Sequence, residues 1–225
     1  MDRFVYIHGF NSGAESRSGR LLEQLLQQPV IRPQCDYSLP FAQCLDDMRR
    51  QISRQVSPND RVCLMGSSLG GFYALHLRGP AICHVVAWNP VIYPAVQLEP
   101  FTGRNSRFTD GGEWEFTRRA LLSYAGAPDP RPWHNSVWQE DQDRDGGSGG
   151  RTAAQCKGAA PPPRDIFLGT HDELLSSPLA RAYWQGAATL HDIDAGHSIA
   201  DYSHAADVLK RGSVPCLEGW RPGGA

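Results

Sequence analysis

Ser68 lies in Gly66-Ser67-Ser68-Leu69-Gly70, which fits G-x-S-x-G, between a short apolar run at 61–65 and a helix-like run at 69–77. In a nucleophile elbow of this form a serine occupies a sharp strand-to-helix turn that pushes its hydroxyl into the open. The turn residue takes strained backbone angles, so the positions two before and two after it must lack a side chain. Gly66 and Gly70 meet that need. The bland alternative is a small flexible loop, since Gly and Ser are common in such turns. A serine hydroxyl is a poor nucleophile until a base takes its proton, and the base must itself be oriented by a carboxylate. The chemistry to look for is acyl transfer through a serine, a histidine and an acid.

The chain has eight histidines. In an open parallel sheet, functional groups gather at the C-terminal ends of strands. His197, in Asp194-Ala195-Gly196-His197-Ser198, falls between the last expected strand and the last expected helix, and is the expected base. His8 and His171 also follow strands, whereas His76, His84, His191 and His204 fall inside expected helices or strands, where a structural role fits. In the order Ser…Asp/Glu…His the acid stands between nucleophile and base. Asp172, directly after its strand in Gly169-Thr170-His171-Asp172-Glu173, is the expected acid. Adjacent side chains point apart, so Glu173 and Asp172 should not both reach His197. Asp194 is the remaining candidate and reads better as a turn residue. The oxyanion of a tetrahedral intermediate needs donors. Leu69 offers a backbone N–H at a helix N-terminus, and Phe10, in the His8-Gly9-Phe10 loop after the first strand, offers a second.

These groups need a scaffold of alternating strands and helices. Residues 3–7 form an apolar run that stops at a Gly/Asn/Ser loop, and a helix over 18–28 follows, with Leu21, Leu22, Leu25 and Leu26 on one face. Residues 30–35 read as a weak strand, placed at an edge by Pro33. A helix after Pro40 repeats Phe41, Leu45, Met48 and Ile52 at helical spacing. Beyond the elbow, 82–88 is an uninterrupted apolar strand of the kind found in a parallel sheet covered on both faces. Residues 91–109 read as an irregular cap, and 113–124 as a helix burying Trp114, Leu121 and Leu122. A strand at 165–169, a helix opened by Ser177-Pro178, a strand at 187–193 and a helix at 199–210 complete the series. The expectation is a trimmed α/β-hydrolase-like three-layer sandwich with a mostly parallel sheet of about six strands, within one domain over 1–211. Residues 127–164 are rich in Pro, Gly, Asp and Gln and should form a mobile insertion, with Trp133, Val137 and Trp138 anchoring its start. Residues 212–225 should form a flexible tail.

At 225 residues, with 22 basic and 24 acidic side chains, the chain has near-neutral charge and no basic stripe, which argues against nucleic acid as a partner. No apolar run approaches the length of a membrane span, and the N-terminus offers no secretory segment. The six cysteines are dispersed, which reads as reduced thiols in a cytoplasmic protein. Asp141, Asp143, Asp145 and Gly146 imitate the start of a calcium loop, but Thr152 stands where a closing glutamate belongs. His191, Asp192, Asp194 and His197 might be drawn as a metal cluster, but alternation along a strand splits His191 from Asp192. Neither a metal nor a cofactor is expected.

The combination of a strand followed by His-Gly-Phe-Asn-Ser, then Gly-Ser-Ser-Leu-Gly-Gly-Phe-Tyr-Ala, Asn89-Pro90, Asp172-Glu173 and Gly196-His197 resembles the YqiA-type small bacterial esterases of the α/β-hydrolase fold. The resemblance spans 3–124 and 165–210. It implies a Ser68–His197–Asp172 triad and activity on short-chain esters or thioesters. The composition of 127–164 departs from that pattern. The same triad would serve acyl transfer to another acceptor, and a non-catalytic binding protein that keeps the fold, using 127–164 toward a protein partner, is the rival class.

Overall fold

The computed structural model describes residues 1–79, 81–132 and 161–210. Strands β1 (Asp2–Ile7), β2 (Val30–Ile31), β3 (Arg61–Ser67), β4 (Ile82–Trp88), β7 (Arg164–Gly169) and β8 (Thr189–Ile193) form one sheet in the order β2-β1-β3-β4-β7-β8. Every pairing in it is parallel. The uninterrupted apolar runs follow from that arrangement, because helices cover both faces. Alternate residues divide between two cores. Val5, Ile7, Val62, Leu64, Val85, Ala87, Ile166 and Leu168 pack under α2 (Phe41–Ser53), α3 (Leu69–His76), α5 (Arg118–Ser123) and α6 (Ser177–Trp184). Phe4, Tyr6, Cys63, Met65, Val86, Trp88 and Phe167 face α1 (Arg17–Leu26) and α7 (Ser203–Lys210). This is the three-layer α/β-hydrolase architecture expected from the sequence.

Local chemistry sets the element ends. Ser16 caps α1 by accepting from the Gly19 N–H, and α1 stops at Gln27, whose φ of 50° is left-handed. Strand β2 is shorter than expected and lies at the sheet edge, since Pro33 has no N–H to extend the ladder. The cap of α6 is Ser176, one residue before the expected Ser177. Helix α7 begins at Ser203, four residues later than expected.

The largest departure lies at 91–124. A short helix α4 (Pro94–Gln97) leads to strand β5 (Gly103–Ser106), which pairs antiparallel with β6 (Glu113–Phe116) as a separate hairpin. The expected helix over 113–124 is thus half strand. Glu113-Trp114-Glu115-Phe116 alternates with period two, and Thr117 then caps α5 by accepting from the Ala120 N–H. Leu122, expected to be buried, is exposed on α5.

Cys35, Cys44 and Cys63 are free buried thiols, whereas Cys83 is disulfide-bonded, against the expectation of reduced thiols throughout. Cys83 stands half-buried near the start of β4. At the start of β7, the Arg164 guanidinium donates to the Pro130 and Arg131 carbonyls at 3.0 and 2.9 Å. The expected anchors Trp133, Val137 and Trp138, the Asp141 acidic motif and the 212–225 tail lie outside the described residues. Among the described residues no helix is long and apolar enough to cross a membrane.

Candidate active site

Ser68 joins β3 to α3 with φ 54° and ψ −124°, backbone angles that a side chain makes costly. They persist because the surroundings over-determine them. The Ser68 N–H donates to the Trp88 carbonyl at 2.9 Å, and the Ser68 carbonyl accepts from the Val91 and Phe72 N–H groups at 3.2 Å each. A side chain at Gly66 would collide with the Gly70 carbonyl, and one at Gly70 with the carbonyls of Ile7 and His8. Both glycines of the motif are therefore there for close packing of backbone on backbone. Behind the turn, all eight residues of α3 are buried.

The loops after β7 and β8 meet in front of Ser68. His197 Nε2 lies 3.1 Å from Ser68 Oγ, and His197 Nδ1 lies 3.0 Å from Asp172 Oδ2. With Asp172 ionised, Nδ1–H donates to the carboxylate and the Nε2 lone pair faces the serine hydroxyl. Asp172 Oδ1 accepts from the backbone N–H groups of Leu174 (2.9 Å) and Leu175 (2.8 Å). Burial raises the Asp172 pKa, but the His197 and backbone hydrogen bonds outweigh it and hold the carboxyl below its ordinary value. Glu173 also reaches His197, by accepting from its backbone N–H at 3.0 Å. The expectation that one acid excludes the other is thereby corrected: side chains that point apart grip different parts of one histidine. Asp194 instead faces His171, at 3.1 Å on the surface. His191 turns to Asp165 and Asp192 to Arg181, so the residues drawn as a metal cluster disperse.

Asn89 holds the two loops together, and residue-by-residue reasoning gave it no role. Buried and at φ 42°, it accepts the Gly169 N–H on Oδ1 at 2.7 Å and donates from Nδ2 to the Gly196 and His197 carbonyls at 3.0 and 3.2 Å. One amide thus bonds the end of β7 to the loop that carries His197. The visible signal was an amide side chain at a strand end before Pro90.

Phe10 and Leu69 flank the serine from the other side. Leu69 is the first residue of α3, so its N–H is one that the helix cannot satisfy. The β1 loop reaches the elbow at Gly9, where a Cβ would stand 3.3 Å from Ser68 Cβ. His8 Nδ1–H donates to the Gly9 carbonyl at 2.9 Å, while His8 Nε2 accepts from the Cys35 N–H at 3.2 Å. The Gly9 carbonyl and the Phe10 N–H belong to one planar peptide, so anchoring the first fixes the direction of the second. Burial pulls the His8 pKa down to about 4, which keeps this ring neutral and able to accept. Tyr37 completes the brace by donating to the His8 carbonyl at 2.5 Å. Among the described residues neither the Phe10 nor the Leu69 N–H has an acceptor.

The chain belongs to the uncharacterised protein family UPF0227, whose family model matches residues 3–211. Its curated relatives include the UPF0227 protein YcfP of Salmonella arizonae, 21% identical over 157 residues, which are 61% of this chain and 87% of that protein. Similar solved structures include a Pyrococcus furiosus esterase, with TM-score 0.59 and 16% identity over 98% of this chain and 83% of that one. A Paleococcus ferrophilus monoacylglycerol lipase gives TM-score 0.57 and 15% identity, over 95% and 93% of the two chains. At such identities the likeness establishes the α/β-hydrolase fold.

Proposed function

We propose that this protein is a serine hydrolase that cleaves a carboxylic ester or thioester through an acyl-enzyme on Ser68. The observation that carries the reading is the unbroken relay of Ser68 Oγ to His197 Nε2 at 3.1 Å and His197 Nδ1 to Asp172 at 3.0 Å. Both contacts lie within the reach that a nucleophile and its base require. Relatedness in fold to an esterase and a monoacylglycerol lipase supports the same class.

In this mechanism His197 Nε2 takes the Ser68 proton as Oγ attacks the acyl carbon, and the carbonyl π electrons move onto its oxygen. The Phe10 and Leu69 N–H groups receive that oxyanion. Collapse expels the alcohol or thiol, which takes the proton from His197. Water then enters, gives a proton to the same nitrogen and releases the acid, and the proton returns to Ser68. Asp172 holds the tautomer and stabilises the transient imidazolium. No cofactor enters these steps. A small acyl ester as substrate belongs to the same reading. The test is hydrolysis of short p-nitrophenyl acyl esters and their thioester counterparts by the purified chain. Ser68→Ala should lower kcat by about 10⁶, in line with the loss of a triad nucleophile. Turnover that survives the substitution would refute the reading.

A further inference from the structure

Resting on the hydrolase reading, we infer that Asn11, gripped by the β5–β6 hairpin through Trp114 and Asn105, is a positioning residue for the Phe10 N–H that receives the oxyanion. The hairpin is then part of the acyl-transfer apparatus as well as its cover.

Asn11 follows Phe10 directly and adopts φ 56°, a left-handed conformation that an asparagine tolerates at some cost. Three hydrogen bonds tie this residue to three points of the hairpin. Trp114 Nε1–H donates to Asn11 Oδ1 at 2.9 Å, Asn11 Nδ2 donates to Asn105 Oδ1 at 3.2 Å, and the Asn11 carbonyl accepts from the Phe108 N–H at 2.7 Å. Asn105 and Trp114 are direct partners across the two strands, so one rung of the ladder presents both halves of the cradle. The amide has one orientation in that cradle. An indole N–H can only donate, so Oδ1 must face Trp114. Asn105 Nδ2 is committed to the Phe101 and Gly103 carbonyls at 2.7 and 3.0 Å, so Asn105 Oδ1 must face Asn11 Nδ2. The Phe10 ring is held by the same hairpin, with ring centroids 5.0 Å from both Trp114 and Phe116.

The Gly9–Phe10 peptide is therefore fixed from two sides. His8 anchors its carbonyl from within the core, and the hairpin anchors the Phe10 ring and the residue beyond. Without the Asn11 bonds, the Phe10 end of that peptide loses its polar tether and the oxyanion donor loses its register with Ser68. Loss of a donor outright costs about 10²–10³ in kcat, and a misplacement of about 1 Å can cost about 10².

Asn11→Gly keeps the left-handed backbone and removes the side chain, while Trp114→Phe keeps a ring and removes the N–H. Each should lower kcat on a p-nitrophenyl ester by about tenfold or more, with KM within about twofold and an unchanged pH–rate profile, since the acid–base side is untouched. The rate of Ser68 labelling by a fluorophosphonate should fall in parallel. Because the bond that Trp114→Phe removes is already lost in Asn11→Gly, the double variant should be no worse than Asn11→Gly alone. Folded single variants with unaltered kcat, losses confined to KM, or losses that multiply in the double variant would overturn the inference. Ser68-dependent hydrolysis that ignores these substitutions defeats the hairpin's role alone. An unaltered chain with no Ser68-dependent turnover defeats the hydrolase reading as well.

Discussion

The Asp172–His197 pair and the Asp165 cluster with His84 and His191 differ in what stands at the far ring nitrogen. Asp172 and His197 sit on loops beyond the carboxyl ends of β7 and β8, where the remaining histidine nitrogen meets Ser68. Asp165, inside β7, binds two histidines from the neighbouring strands, His84 at 2.7 Å and His191 at 2.6 Å. There His84 is fully buried and its Nδ1 has no partner among the described residues, while the His191 ring stacks on Phe167 with centroids 4.5 Å apart. The bonds are alike in chemistry, each joining an imidazole nitrogen to a carboxylate oxygen. Position along the strand separates them: three or more residues past the strand end, the pair meets the Ser68 hydroxyl, whereas within the strand it faces core. An Asp–His bond is thus a poor marker of catalysis by itself, and its third partner is the informative group.

Breaking the outer pair should produce the largest effect. Asp172→Asn offers an amide where the imidazole N–H needs an acceptor, and should cost about 10⁴ in kcat with the fold intact. Acid comes next. The buried His8 and His76 rings have folded pKa values near 4, below the ordinary 6.5, because burial disfavours the cation. The folded state therefore binds fewer protons than the unfolded one below pH 6.5. The stability present at neutral pH should be lost as pH falls from about 6.5 to 4, by on the order of 3 kcal/mol for each ring. Asp165 and Asp172 lie below their ordinary values, since histidine hydrogen bonds overcome the upward push of burial. They extend the loss below about pH 4. Urea unfolding midpoints across this range measure the sum.

Breaking the inner cluster sharpens the contrast in the other direction. Asp165→Asn should lower unfolding free energy by about 1–3 kcal/mol while leaving kcat per folded molecule within about twofold, because it strips the bonds of a buried group inside β7 that does not touch Ser68 or His197. A large drop in kcat at unchanged stability would erase the distinction between the clusters. The smallest effect concerns the bond between the two loops. Asn89→Gly keeps the left-handed backbone and removes the amide, and should lower kcat about tenfold through a looser His197, with KM little changed.

Much of this was legible in the sequence. The positions of Ser68, Asp172 and His197 stand out because strand ends are marked by abrupt changes from apolar runs to Gly, Asp and His, and the β3 and β4 runs are long enough to define the sheet. The β5–β6 hairpin was not legible. Gly103-Arg104-Asn105-Ser106 has no apolar alternation, and Glu113-Trp114-Glu115-Phe116 runs into a helical stretch that masked its two-residue period. The supporting amides were also hidden. Asn11 and Asn89 act through bonds to residues 80–108 positions away in the chain, and nothing in a local pattern encodes such partners.

The most direct test of the central claim is covalent capture of the nucleophile. The folded chain, treated with a fluorophosphonate probe and digested, should carry one adduct on the Gly66–Gly70 peptide at Ser68, with Ser68→Ala unlabelled and Asp172→Asn labelled far more slowly. An adduct on another residue, or equal labelling of the Ser68→Ala chain, would contradict the account.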